Sequence, residues 1–64
     1  MTRFETRQYE FSHGSAPKNV TGIWAFGVGG ETVVIEQPMT LREAKVKVAA
    51  IARNAGIRTV TILP

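Results

Sequence analysis

Four basic side chains are the best candidates for chemistry in this sequence. At 100° per residue, Arg42, Lys45 and Arg53 lie on one flank of a predicted helix. Lys47 points elsewhere around the same helix. Cationic side chains in such a row bind the phosphates of a nucleic-acid duplex, which positions a protein without reading its bases. We take these three residues, with Lys18 from a predicted loop, as candidate nucleic-acid contacts. A basic helix face that serves only solubility explains the pattern equally well.

The distribution of charge along the sequence also favours the predicted helix as the binding element. The net charge is +3, and residues 37–64 carry five basic groups against Glu43 alone. Residues 1–36 carry three basic groups against four glutamates. A positive field of this kind raises encounter rates with phosphates or acidic proteins. The first turn of the helix contains Arg42, and its open amides and macrodipole are expected to favour the same anions.

Catalysis has little support in the residue types present. The chain has no cysteine and no aspartate, and its serines, Ser12 and Ser15, flank a single histidine, His13. A nucleophilic triad needs an acid that orients the histidine, and a metal site needs several ligands. We therefore expect no enzyme activity, no cofactor and no metal, and we expect His13 to be an exposed loop residue.

The stretch from Thr40 to Gly56 carries both helix boundary signals. Thr40 followed by Glu43 forms a capping box, and Gly56 suits the left-handed position after a helix end. The apolar residues recur with helical spacing and should pack on a sheet. They are Leu41, Ala44, Val48, Ile51, Ala52 and Ala55.

Two strands joined by Gly29-Gly30 form the clearest hairpin in the sequence. The pair supplies the positive φ angles that a two-residue turn requires, so residues 22–28 and 31–36 should pair. That turn sets Val28 opposite Glu31, and the alternation gives two faces. One face carries Trp24, Phe26, Val33 and Ile35 and is expected to face the helix, and the other carries Ile23, Ala25, Thr32 and Val34. Gln37-Pro38-Met39 is expected to end the third strand, because proline cannot donate to a sheet ladder.

The remaining segments complete an α+β domain of order β-β-β-α-β over residues 1–64, with one helix on one face of a mainly antiparallel sheet. A first strand is expected over residues 3–11, with a bulge near residues 6–8 or a start at Arg7 reconciling Phe4 with Tyr9 and Phe11. Residues 12–21 read as a loop and residues 57–63 as a fourth strand. The crossover through the helix favours parallel third and fourth strands, and the sequence leaves the neighbours of the fourth strand open.

Part of this pattern resembles the C-terminal two-thirds of a double-stranded-RNA-binding domain. The likeness rests on the run Trp24-Ala25-Phe26-Gly27-Val28 and on Thr40-Leu41-Arg42-Glu43-Ala44-Lys45. In that family the last helix grips phosphates, and the resemblance implies this role for Arg42 and Lys45. Leu41 replaces the family's first lysine, the family's N-terminal helix is not predicted here, and a strand follows the helix.

The three-strand-plus-helix arrangement is also similar to plant AP2-type and integrase N-terminal DNA-binding domains, which grip the major groove with the sheet. That likeness would give exposed sheet residues and Arg7 or Lys18 more weight.

A rival hypothesis makes the chain a small protein-binding adaptor or inhibitor of the phage or plasmid accessory type. It would act through the second sheet face, with Ile23 and Val34 as the interface. A homodimer through a free sheet edge or face is a third reading. The N-terminus has no apolar stretch typical of a signal peptide, and no apolar run approaches the ~20 residues that span a bilayer. We expect a cytoplasmic protein without a membrane partner.

Overall fold

The computed structural model describes residues 2–64, which form four strands and two helices. In chain order the elements are β1 (Arg3–Glu5), α1 (Arg7–His13), β2 (Gly22–Val28), β3 (Glu31–Met39), α2 (Leu41–Asn54) and β4 (Thr59–Ile62). The α+β class is confirmed. The element order is β-α-β-β-α-β, not the predicted β-β-β-α-β.

The four strands form one mixed sheet in the order β1-β4-β2-β3. β2 pairs antiparallel with both β3 and β4, and β1 pairs parallel with β4. β3 and β4 therefore run in the same direction on either side of β2, as the crossover through α2 predicts. The sheet order also places the fourth strand, which lies beside both the first and the second.

The core lies between α2 and one face of the sheet. The strands contribute every second residue and the helix contributes one stripe, as their periods of two and 3.6 require. Phe26, Val48, Val60 and Ile62 are the largest fully buried side chains. The rest of the core is Trp24, Val28, Ile35, Met39, Leu41, Ala44 and Ala52. α2 packs on this face, and we call the opposite surface of the sheet the open face.

The hairpin has the predicted register, with Val28 opposite Glu31 and Trp24 opposite Ile35. Gly29 and Gly30 both have positive φ angles, 57° and 84°, as a tight hairpin turn demands. The predicted span of the third strand, residues 31–36, is too short, because β3 continues through Pro38 to Met39. An edge strand tolerates proline, and the pairing with β2 changes register in this part of the strand.

The prediction of one strand over residues 3–11 is wrong, and neither a bulge nor a start at Arg7 rescues it. Only Arg3–Glu5 is a strand, and α1 begins at Arg7. α1 ends at Gly14, whose φ of 75° and N–H bond to the Glu10 carbonyl form a helix C-terminus. Within α1, Tyr9 packs against the core while Phe11 is 93% exposed, so their apparent alternation does not reflect a strand.

α2 has both predicted ends but a narrower buried stripe. Leu41, Ala44, Val48 and Ala52 are buried, whereas Ile51 and Ala55 are exposed, contrary to prediction. Ile51 sits on the flank of the stripe and Ala55 is the capping residue at the C-terminal end. There the N–H groups of Gly56 and Ile57 bond to the carbonyls of Arg53 and Ala52, which is the Schellman arrangement. Gly56 adopts the predicted left-handed conformation, with φ of 73°.

Candidate nucleic-acid interface

The first turn of α2 is closed by its own side chains. The Thr40 hydroxyl accepts a hydrogen bond from the Glu43 amide at 3.3 Å, and the Glu43 carboxylate accepts one from the Thr40 amide at 3.1 Å. The Thr40 hydroxyl also donates to that carboxylate at 3.0 Å. These bonds, the backbone one foremost, hold the pKa of Glu43 below its ordinary value of 4.5. The capping box predicted from sequence is confirmed.

A loop residue reaches the same helix end from far along the chain. The Arg42 amide donates to the Asn19 side-chain oxygen at 2.8 Å, which ties the segment between α1 and β2 to the first turn of α2. Pro17, Asn19, Leu41, Arg42 and Lys45 line a shallow pocket of about 290 Å³ at this junction. Lys18 lies between two of these lining residues and is exposed.

The open-amide part of the sequence prediction is wrong. The amides of Arg42 and Glu43 bond to Asn19 and Thr40, and the Ala44 amide bonds to the Thr40 carbonyl. A phosphate arriving at this end would therefore find the amides of Arg42 and Glu43 already bonded. The Glu43 carboxylate is held by the cap and also lies near Lys47, which lowers its pKa further.

Lys45 is positioned by an aromatic ring on β1. Its ammonium group lies 5.2 Å from the centroid of the Phe4 ring, within the range of a cation–π contact. Phe4 in turn packs edge-on against the buried Phe26, with centroids 6.2 Å apart. This contact orients the ammonium group without neutralising it, because the ring carries no net charge. Arg42 and Lys45 are neighbours on the helix surface, since residues three apart share one face.

The structure places Arg42 and Lys45 side by side on α2, at a pocket whose loop wall, Pro17 and Asn19, flanks Lys18 in the sequence. We call Lys18, Arg42 and Lys45 the N-terminal basic cluster. Arg53 lies at the other end of α2, about 16 Å from Arg42 along the axis at ~1.5 Å per residue. There it lines a separate pocket of about 300 Å³ with Thr2, Gly56, Ile57 and Arg58.

In the described part of the chain, residues 2–64, no acidic side chain forms an ion pair with the basic residues at either end of α2. Among residues 2–64 the ion pair within 4.0 Å is that between Arg3 and Glu5, at 3.2 Å on β1. Arg42 and Arg53 are exposed and Lys45 is half-buried. Their charges are therefore available to an incoming anion.

Two residues of this region were missed at the sequence level. Asn19 is 23 positions from its partner Arg42, and an asparagine in a polar loop gives no sign of such a distant contact. Arg58 approaches Arg53 because the Schellman turn brings the chain back past the helix end. The glycine that signals this turn, Gly56, was visible in the sequence.

The proposed protein-interface residues lie on the open face. Ile23 is 57% exposed and Val34 is 47% exposed, and they belong to the adjacent strands β2 and β3. Ala25 and Thr61 lie half-buried on the same side of the sheet.

His13 has a different setting from the predicted loop. It is exposed in the last turn of α1, and its ring stacks on Tyr9 with centroids 4.0 Å apart. Tyr9 contacts Trp24, with centroids 6.1 Å apart, so the histidine ends a row of three rings. Among residues 2–64 no group of three or more histidine, aspartate or glutamate side chains is placed to hold a metal ion.

Comparison with family models, with curated proteins and with solved structures gives no significant match to this chain. The likeness to double-stranded-RNA-binding and AP2-type modules therefore stays a prediction. In the part of the chain that the structure describes, no helix is both long and apolar enough to cross a membrane.

Proposed function

We propose that this protein is a small non-enzymatic nucleic-acid-binding module that holds duplex phosphates with its N-terminal basic cluster. The observation that carries the proposal is the gathering of the Lys18 loop, Arg42 and Lys45 around one pocket, with no carboxylate within ion-pair distance of the three in residues 2–64. Two of these residues come from the first turns of one helix, and the loop that contains the third is tied to that helix by the bond from Arg42 to Asn19.

Each member has a distinct part in phosphate binding. Arg42 offers a planar guanidinium group that can hold two phosphate oxygens at once. Lys45 offers a compact charge, oriented by Phe4. Lys18 approaches from the loop. Arg53 is too far along α2 to share their phosphate and would contact another part of the backbone.

The binding strength follows from the number of phosphates. With three or four contacts, affinity for DNA should fall roughly 40- to 150-fold between 50 and 200 mM salt, taking a slope of about −0.9 per phosphate. The contacts position the protein without specifying sequence. Weak, salt-sensitive binding with little sequence preference is therefore expected.

A matched pair of lysines on α2 tests the proposal. Lys45→Gln should weaken binding to labelled duplex RNA and DNA, measured by fluorescence anisotropy at low and moderate salt. Lys47→Gln makes the same change two residues away, on a different side of the helix, and should have the smaller effect. Equal losses in the two variants would point to net charge alone, and no binding by the parent protein at low salt would end the proposal.

A second candidate function is protein binding through the open face. It is favoured by the exposure of Ile23 and Val34 on the sheet face opposite α2. On this hypothesis a specific protein co-purifies with the tagged chain after nuclease treatment, and Ile23→Glu or Val34→Glu abolishes the association without unfolding the protein. Loss of all partners on nuclease treatment would instead favour nucleic acid.

A further inference from the structure

The two edges of the sheet differ in how well they resist pairing with another strand. β1 forms one edge and has three residues, with Arg3 and Glu5 joined in an ion pair. Short and charged edge strands are two ways in which proteins prevent edge-to-edge association. β3 forms the other edge and has nine residues. It contains no lysine or arginine.

Backbone N–H and C=O groups in the middle of β3 point outward from the free edge of the sheet, in the plane of the sheet. The turn at Gly29-Gly30 makes Val28 and Glu31 the closing pair of the hairpin, and bonded and non-bonded pairs alternate from there. By this alternation the N–H and C=O groups of Thr32 and Val34 face outward. Unpaired strand groups of this kind are a template for a further strand. Proline, which could not donate, comes only at Pro38, near the end of β3.

We propose that β3 is a self-association edge, at which two copies of this chain pair antiparallel with Val34 opposite Val34. The occupant is a second copy because the segment from Glu31 to Gln37 is complementary to itself. In this register Glu31 faces Gln37 of the other copy, so the glutamates at the two ends are not opposed.

The remaining pairs in this register also fit. Thr32 faces Glu36 on the open face, and Val33 faces Ile35 on the core face, where Val33 is only half-buried in one copy. The two-fold axis is perpendicular to the sheet. The pairing therefore joins two four-stranded sheets into one of eight, with both α2 helices on the same side. This inference does not depend on nucleic-acid binding.

Sedimentation over a range of concentrations tests the edge. The parent protein should shift from monomer towards twice the monomer mass as concentration rises. Val34→Lys sets two like charges opposite each other at the two-fold axis, and it should hold the protein as a monomer with an unchanged circular dichroism spectrum. Ile23→Lys is the matched control, because Ile23 is comparably exposed on the open face but lies in β2, away from the edge. It should still dimerise.

Single cysteines test the register, since the natural chain has none. A bonded antiparallel pair has Cα atoms about 5.5 Å apart, within disulfide range. Under mild oxidation Val34→Cys should therefore give a covalent dimer, and Thr32→Cys, about 14 Å along the strand from its own copy at ~3.4 Å per residue, should not.

Four results would overturn the proposal. They are a parent protein that stays monomeric at every concentration, equal loss of association in Val34→Lys and Ile23→Lys, no cross-link at residue 34, and equal cross-linking at residues 32 and 34.

Discussion

The two ends of α2 are held in different ways. At the N-terminal end, Leu41 is buried and Asn19 reaches in from 23 residues away, so this end depends on tertiary contacts. At the C-terminal end, Arg53 and Asn54 are exposed, and Gly56 ends the helix by backbone bonds between near neighbours. A basic residue is therefore fixed in space by the contacts of its helix turn. Arg42 and Lys45 lie on turns that a distant loop residue and a β1 ring contact, whereas Arg53 lies on the turn that local backbone bonds end.

The largest expected effect contrasts the two ends through packing. Leu41→Ala removes a side chain that is 4% exposed, and it should lower the free energy of unfolding by about 2–4 kcal/mol. Ile51→Ala, nearer the other end, removes one that is 43% exposed and should cost less than ~1 kcal/mol. Urea unfolding followed by circular dichroism measures both. Similar losses would mean that the N-terminal end is not the better packed of the two.

Removing either helix cap should lower the free energy of unfolding by a more nearly equal amount. Thr40→Ala removes the hydroxyl that accepts from the Glu43 amide and should cost about 1 kcal/mol. Gly56→Ala places a Cβ at φ of 73°, where it meets no other atom, so only backbone strain of about 1 kcal/mol is expected. The same unfolding measurement compares them. A loss of several kcal/mol in either variant would show a contact beyond the local cap.

Loss of the hydrogen bond between Asn19 and the Arg42 amide should have a smaller effect on stability and a selective effect on duplex binding. Asn19→Ala loses one exposed hydrogen bond and should cost about 1 kcal/mol or less. It should also weaken duplex binding, because the loop that contains Lys18 is no longer bonded to the first turn of α2. Asn54→Ala is the control at the C-terminal end and should change neither quantity. Unchanged anisotropy for Asn19→Ala would separate the loop from the binding site.

The capping box also gives a pH dependence at the N-terminal end alone. The pKa of Glu43 is lower when folded than its ordinary value of 4.5, so its contribution is present above that value. The contribution is lost as the pH falls through the lowered pKa. Glu43→Gln should therefore lose less stability than the parent protein on acidification below pH ~4.5. Parallel stability curves for the two proteins would show that the carboxylate does not act through the cap.

The sequence predicted correctly those features whose hydrogen bonds and backbone angles depend only on residues close together in the chain. Thr40 with Glu43, Gly56, and the Gly29-Gly30 turn each act within a few residues, and the structure has all three. α1 was missed because Tyr9 and Phe11 alternate as in a strand. Its stacking of His13 on Tyr9 and the packing of Tyr9 on Trp24 appear only in three dimensions.

The candidate site was predictable to the same extent. Helical spacing placed Arg42 beside Lys45, which are separated by less than one turn. It also grouped Arg53 with them, because an angular projection ignores the distance along the axis. The bond between Asn19 and Arg42 depends on how a loop folds back on the helix, which periodicity does not encode.

The salt dependence of duplex binding tests most directly whether the N-terminal basic cluster is the docking site. The slope of log affinity against log salt would be measured for the parent protein, for Arg42→Gln/Lys45→Gln and for Arg53→Gln/Arg58→Gln. Each lost phosphate contact makes this negative slope less steep by about one. We expect the slope to be less steep by about two for the first double variant and by about one or less for the second. Equal slopes for the two variants, or an unchanged slope for the first, would contradict it.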